Sequence, residues 1–260
     1  MTHFFKKMLS FFLLISAIVI ADEAEFKIDR KQIQEPISTT ETAIVDNPFG
    51  DVRLRSGADA KILEVFAVIQ NLEPHTPAPE IQITHKEGQV LLTVHSSQIK
   101  GKLDRADLVI YVPDGVKTKT KTVHGMIEVK GIAGDVSANS ERGEIIIRSV
   151  KGHVEAENRS GSVLAELMPD ATSRPENFVT RTGNITLYFW EGFNANIVLE
   201  TSGEITTDYS VQIDYHPSQE PAKIARASLG NPQRQISARS KQGKISILRL
   251  VKKLPQATTR

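Results

Sequence analysis

Three groupings of side chains in this sequence could do chemistry. Asp135, Ser137 and His153 would share one face if strands recur every eighteen residues, and these are the parts of a nucleophilic relay. A relay also needs directional hydrogen bonds, an oxyanion site and a cleft, which a flat polar ladder does not supply. A cross-strand Asp135–His153 contact is therefore expected, not a catalytic centre. Glu128, Glu144, Glu155, Glu166 and Glu204 raise glycan cleavage, by a lyase or hydrolase. That chemistry requires two carboxylates at a defined separation, or a calcium ion with a base beside it. Basic or neutral residues separate these acids, so a solvated face is expected. His75, His85 and His95 recur at intervals of ten, but strand, turn and strand lie between them, so one shared metal is not implied. No catalytic residue, metal ligand or cofactor is assigned.

The elements that would position these groups come from a repeat. Gly125, Gly134, Gly143, Gly152 and Gly161 stand nine residues apart, and the pattern returns at Gly183, Gly203 and Gly243. After each glycine, the second and fourth residues are mostly apolar or small. Alternation across a strand then turns one face inward: Ile127, Val129, Val136, Ala138, Ile145, Ile147, Val154, Ala156, Val163, Ala165, Ile185, Leu187, Ile205, Ile245 and Ile247. The other face carries Glu128, Asp135, Ser137, Glu144, His153, Glu155, Ser162, Thr186, Glu204, Lys244 and Ser246, with Ile146 and Leu164 as exceptions. Large inward pairs (Ile127 with Val129, Ile145 with Ile147) alternate with pairs ending in alanine, so the structural unit is eighteen residues and two strands. The eight glycines are expected to be structural, at corners or tight turns. A calcium-binding roll needs two glycines and an aspartate per repeat; each repeat here has one glycine, and among the eight repeat glycines only Gly134 is followed by an aspartate, Asp135.

Upstream, Gly50–Ser56, Lys61–Ile69, Glu80–His85, Gln89–His95 and Asp107–Pro113 read as strands separated by turn-rich pieces. No window beyond the N-terminal segment carries a helical apolar period. The fold class expected is all-β: a single-domain parallel β-solenoid, or β-helix, with turns of about 18 residues behind a strand-rich cap. An antiparallel meander is the rival for the glycine repeat, disfavoured by the large/small alternation and by the lack of Asn-Gly or Asp-Gly at the repeat glycines.

Order and spacing of "AIVDNPFGDVRL", "LVIYVPDGVKTKTKTVHGMIEVKGIAGDVSANSERGEIIIRSVKGHVEAENRSGSV", "RTGNITLYFWEGFNANIVLETSGEITTDY" and "ISARSKQGKISIL" resemble the bacterial putative-adhesin family of exported β-solenoids with Ser-Gly-Asp-Ile-type repeats. The likeness covers about Ile44 to Leu250, and departs where His, Arg, Lys or Gln precedes the glycine in place of Ser. It implies an exported β-solenoid associated with the cell envelope, in some members with envelope stress. It implies no catalytic residues and no fixed ligand.

Residues 1–21 carry Lys6 and Lys7, an apolar run and the small end Val19-Ile20-Ala21, which is the pattern of a cleaved secretory signal peptide. The run is shorter than the roughly 20 residues of a spanning helix, so no transmembrane span is expected after cleavage. There is no cysteine, so burial and backbone pairing must hold the exported chain. Net charge is +1, and nucleic acid is not an expected partner. The expected organisation is a signal peptide (1–21), a polar leader (22–46), a strand-rich cap (47–113), the glycine-repeat solenoid (114–250) and a basic tail (251–260). The one aromatic concentration, Leu187–Phe193, offers Tyr188, Trp190 and Phe193 as a partner-binding surface. The function expected is non-enzymatic binding or scaffolding in the periplasm or at the cell surface, with an envelope protein or glycan as partner. A glycan-acting enzyme and a passive envelope-stress component are the alternatives.

Overall fold

The computed structural model describes residues 27–71, 77–96, 98–99, 102–169 and 173–250. The expected signal peptide, His75 and the basic tail lie outside the described residues. Among the described residues there is no helix, and none long and apolar enough to cross a membrane. In chain order the strands are β1 (Lys27–Pro36), β2 (Thr42–Phe49), β3 (Val52–Ser56), β4 (Ile62–Asn71), β5 (Glu80–Lys86) and β6 (Gln89–His95). Then come β7 (Gln98–Ile99), β8 (Lys102–Leu103), β9 (Arg105–Val112), β10 (Lys117–His124), β11 (Ile127–Lys130) and β12 (Val136–Arg142). Next are β13 (Ile145–Val150), β14 (Val154–Asn158), β15 (Val163–Leu167), β16 (Glu176–Thr180), β17 (Ile185–Trp190) and β18 (Ala195–Thr201). The last are β19 (Ile205–Thr207), β20 (Gln212–Tyr215), β21 (Lys223–Leu229), β22 (Gln235–Ser240) and β23 (Ile245–Leu250).

Two large mixed sheets hold all of these but the β7–β8 pair. Sheet A runs β1-β4-β9-β3-β11-β13-β15-β17-β23-β19, and sheet B runs β20-β21-β18-β22-β16-β14-β12-β10-β2-β6-β5. From β9 to β19 the chain changes sheet at every strand. In the middle of the array, parallel neighbours lie eighteen residues apart: Ile127 beside Ile145 beside Val163, and Val136 beside Val154. Inward residues of both sheets close one core, with Ile127, Ile145, Ile185 and Ile245 in a row at 0% exposure. Burying each such side chain contributes about 2 kcal/mol. Ile205 is only half-buried, at the edge of sheet A. Ser246, expected outward, is buried between Thr186 and Thr206 in adjacent strands.

A wholly parallel array does not form. β1 with β4, β4 with β9, β5 with β6, β18 with β21 and β20 with β21 are antiparallel; they terminate sheet B at both ends and sheet A at its β1 end, while β19 closes the other end of sheet A parallel to β23. A short connection suffices to reverse a strand, whereas a parallel neighbour needs a crossover. The segment 22–46, expected as a polar leader, holds β1 and the start of β2. β1 is exposed except at Ile33 and Glu35, which are half-buried, and is held mainly by its ladder to β4, so its sequence shows no apolar alternation. The long insertion after Thr207 contains the β20–β21 hairpin. Spatial order also departs from chain order: β22 lies between β16 and β18, and β23 between β17 and β19.

The recurring glycines answer a steric demand between stacked backbones. A Cβ on Gly143 would lie 2.0 Å from the Gly125 carbonyl oxygen, and one on Gly161 would lie 1.7 Å from that of Gly143. Gly183, Gly243 and Gly125 meet the carbonyls of Gly161, Gly183 and Gly50 in the same way, at 2.0, 1.8 and 1.9 Å. This column follows the strands of sheet B. A second, shorter column precedes strands of sheet B: Gly134 meets Val116, and Gly152 meets Gly134. Gly203 meets the Gln242 and Gly243 carbonyls.

A column of buried polar side chains runs beside the first glycine column. Asn158 donates to the Gly143 carbonyl at 2.6 Å, Thr180 to Gly161 at 3.0 Å, Ser240 to Gly183 at 2.9 Å and Thr201 to Gly243 at 2.6 Å. The same side chains accept from the N–H of Gly161, Gly183, Gly243 and Gly203. Each corner thereby satisfies backbone groups that would otherwise be buried and unpaired.

Candidate functional site

The outer face of sheet A carries both charged and apolar side chains. Across β9, β3, β11, β13 and β15 it is an ion-pair network. Arg105 reaches Asp107 at 2.5 Å and Asp51 at 3.6 Å, Arg53 reaches Asp51 at 3.3 Å, and Arg55 reaches Glu128 at 2.6 Å. Arg148 stands between Glu128 (3.8 Å) and Glu166 (2.9 Å). Apolar side chains share β13 and β15 with this network and continue onto β17 and β23. Ile146 neighbours Leu164, Tyr188 neighbours Leu248, and Trp190 neighbours Leu250, all half-buried. The Trp190 Nε1 atom is buried without a hydrogen-bond partner. Alternation in β17 produces this arrangement by burying Leu187 and Phe189 and turning Tyr188 and Trp190 outward.

Phe193 does not join that surface. It is 6% exposed, stacks on Phe189 with ring centroids 4.5 Å apart, and lies under the Arg234 guanidinium at 4.8 Å. The chain turns at Glu191–Gly192 and folds the ring back over the core, so strand alternation does not extend to it. Arg234 is itself buried and pairs with Glu176, while also donating to the Met168 carbonyl at 2.9 Å. Glu176 accepts from the Val154 N–H at 3.1 Å. Burial raises the Glu176 carboxyl above its ordinary range, against the opposing pull of Arg234. An open cleft of about 420 Å³ lies beside this pair, lined by Ser173, Phe193, Asn194, Asn231, Gln233 and Arg234. Nothing in the sequence joins Glu176, at the start of β16, to Arg234, just before β22, across 58 residues.

The groupings weighed for catalysis do not assemble. Asp135 accepts from the His153 backbone N–H at 3.2 Å and from Arg174 at 2.5 Å, with Lys117 at 3.9 Å. The His153 ring turns to Glu155 at 3.3 Å, and its Nδ1 is buried without a partner. Burial acts to raise the Asp135 carboxyl, but Arg174, the His153 N–H and Lys117 outweigh it and hold the group below its ordinary range. Glu204 bonds Thr206 at 3.0 Å and Lys244 at 3.3 Å, which hold its carboxyl low. His85 meets Glu35 at 2.6 Å and His95 meets Gln82 at 3.1 Å, so the two histidines do not converge. Among the described residues no cluster of three or more His, Asp or Glu is arranged to hold a metal ion.

What sequence reading missed is the polar column at the corners. Its signal is a Ser, Thr or Asn three residues before the glycine, as in Ser140–Gly143, Asn158–Gly161, Thr180–Gly183 and Ser240–Gly243.

No family model matches the chain, and no curated protein matches it. Among solved structures, a putative cell adhesion protein from Clostridium sporogenes aligns over 85% of this chain and 100% of its own, at 13% identity and a TM-score of 0.45. A putative adhesin from Bacteroides fragilis aligns over 85% and 97%, at 13% identity and a TM-score of 0.34. One from Parabacteroides merdae aligns over 86% and 97%, at 9% identity and 0.33. Likenesses this loose carry no functional argument.

Proposed function

We propose that this protein is an exported, non-enzymatic scaffold of the cell envelope or surface, of the adhesin type. It is a β-solenoid with a strand-rich cap, and it binds a protein or glycan partner through the outward face of sheet A. The observation that carries the binding reading is the set of half-exposed apolar side chains Ile146, Leu164, Tyr188, Trp190 and Leu248, interleaved on β13 and β15 with ion-paired Arg148 and Glu166. A rigid sheet presenting such side chains can be covered by a partner at small conformational cost. The eighteen-residue offsets between parallel neighbours support the solenoid reading. Glu128 and Glu166 are bound to arginines and Glu155 to a histidine, which favours binding over acid–base chemistry. The apolar segment after Lys6 and Lys7 supports export.

The test is retention of the chain, beginning at Asp22, on purified cell-wall and outer-membrane fractions. Retention is expected, with Tyr188→Ala and Trp190→Ala each lowering affinity about tenfold or more. Failure to be retained on either fraction would overturn the binding reading. Release of reducing ends from envelope glycans, lost in Glu128→Gln, would assign an enzyme instead.

A further inference from the structure

Sheet B ends at β5, and among the described residues no strand pairs with the outer edge of β5. Glu87 and Gly88 join β5 to β6, and the ladder closes on the Lys86–Gln89 pair. Opposed residues of an antiparallel ladder alternate between hydrogen-bonded and non-bonded pairs, and the pair closing a two-residue connection is bonded. Lys86, Thr84, Gln82 and Glu80 therefore direct their main-chain groups to β6. Ile81, Ile83 and His85 direct theirs to the open edge. The same three side chains face the core side, opposite the buried Val94, Leu92 and Val90. Ile81 and Ile83 stay half-buried because the sheet stops there.

We propose that this edge associates two copies of the chain, β5 against β5, antiparallel and centred on Ile83. In that register Ile83 meets its two-fold mate and Ile81 of each copy meets His85 of the other. These are the residues whose main-chain groups have no strand partner among the described residues, so the ladder of sheet B continues into the second molecule without a break. On the outer face, Glu80 of each copy opposes Lys86 of the other, and Gln82 opposes Thr84. Glu80 and Lys86 are exposed and form no ion pair within the described residues, so both charges are available. Opposite charges directly across an antiparallel pair are favourable and like charges unfavourable.

The other sheet edges lack this complementarity. β1 sets Asp29, Lys31 and Glu35 on its core side, opposite Ile69, Ala67 and Leu63, which protects an edge from pairing. β19 is three residues long. β20 exposes Ile213 and Tyr215 but is four residues long and has no basic side chain to answer Asp214.

Sedimentation equilibrium of the chain beginning at Asp22, over a micromolar concentration series, tests the proposal. A monomer–dimer equilibrium is expected. Glu80→Lys and Lys86→Glu should each raise the dissociation constant about tenfold or more, since each turns two attractive pairs into repulsive ones. The double variant should recover wild-type association. An equimolar mixture of the two single variants should form a heterodimer more tightly than either associates alone. Unchanged melting of each variant verifies that the exposed substitutions leave the fold intact. The proposal is overturned by a wild-type chain monomeric at about 100 μM, by association indifferent to the reversals, or by a mixture that does not associate.

Discussion

The Thr180 hydroxyl donates to the Gly161 carbonyl at 3.0 Å while accepting from the Gly183 N–H at 3.1 Å. One buried side chain thus ties a corner to the one below it in the stack. Thr120, also buried, points its hydroxyl into the interior with no partner. The same substitution should then have opposite signs at the two sites. Thr180→Val should cost about 1–3 kcal/mol, because it leaves two backbone groups unsatisfied. Thr120→Val should be neutral or stabilising by up to about 1 kcal/mol, because it removes an unpaired buried hydroxyl. Urea unfolding of both variants checks the pair, and equal effects would refute the assignment of the corner bonds.

Gly143 and Gly88 separate two reasons for glycine. Gly143 has φ +151° and a carbonyl 2.0 Å from where a Cβ would sit. Gly88 has φ +66° with nothing within 4 Å of its added Cβ. Gly88→Ala should cost only backbone strain, about 1 kcal/mol. Gly143→Ala must also push apart two stacked backbones, and a loss above about 3 kcal/mol is expected from thermal or urea melts.

The all-β character and the inward face were legible because period-two alternation survives in every central strand: Ile145, Ile147, Val154 and Ala156 are buried as the pattern demands. The spacing of equivalent residues was legible for a second reason. Ile127 stacks on Ile145 and Val136 on Val154, so like side chains recur every eighteen residues, while strands on opposite sides of a narrow interior must share its volume between large and small side chains. β1 was illegible because main-chain pairing, which any residue can supply, holds it with little burial. Placement of β22 and β23 out of order was illegible because their local pattern matches that of any other strand pair. Phe193 misled because alternation was carried through a turn, at Glu191–Gly192, that resets it.

Arg234 and Glu176 form a buried pair, 4% and 0% exposed. Removing one partner strands the other charge, so Arg234→Met should cost about 3–5 kcal/mol near neutral pH. Adding Glu176→Gln should return part of that loss, since a neutral amide can keep the bond from the Val154 N–H. A pH dependence distinguishes this from lost packing. Burial already raises the Glu176 carboxyl, and without Arg234 the rise is larger. A carboxyl raised on folding favours the fold below its unfolded pKa, and that advantage disappears as pH rises through the folded value. The defect of Arg234→Met should therefore shrink as pH falls towards the ordinary carboxylate range, in guanidinium melts taken from neutral to mildly acidic conditions.

Asp135 should behave with the opposite sign. Burial pulls its carboxyl upward, but Arg174, the His153 N–H and Lys117 outweigh it and hold the group below its ordinary range. A depressed acid stabilises the fold above its unfolded pKa, and the contribution disappears as pH falls through the folded one. Asp135→Asn should lower the melting temperature at neutral pH, and the gap from wild type should close only below about pH 3.8. The side chain is partly exposed, at 26%, so the gap should also narrow in about 1 M salt. If Asp135 instead served a Ser137–His153 relay, Asp135→Asn would abolish hydrolysis of an activated ester while leaving the melting curve unmoved. The contacts seen here, to a backbone N–H and two cations, predict a shifted melting curve and no such activity to abolish.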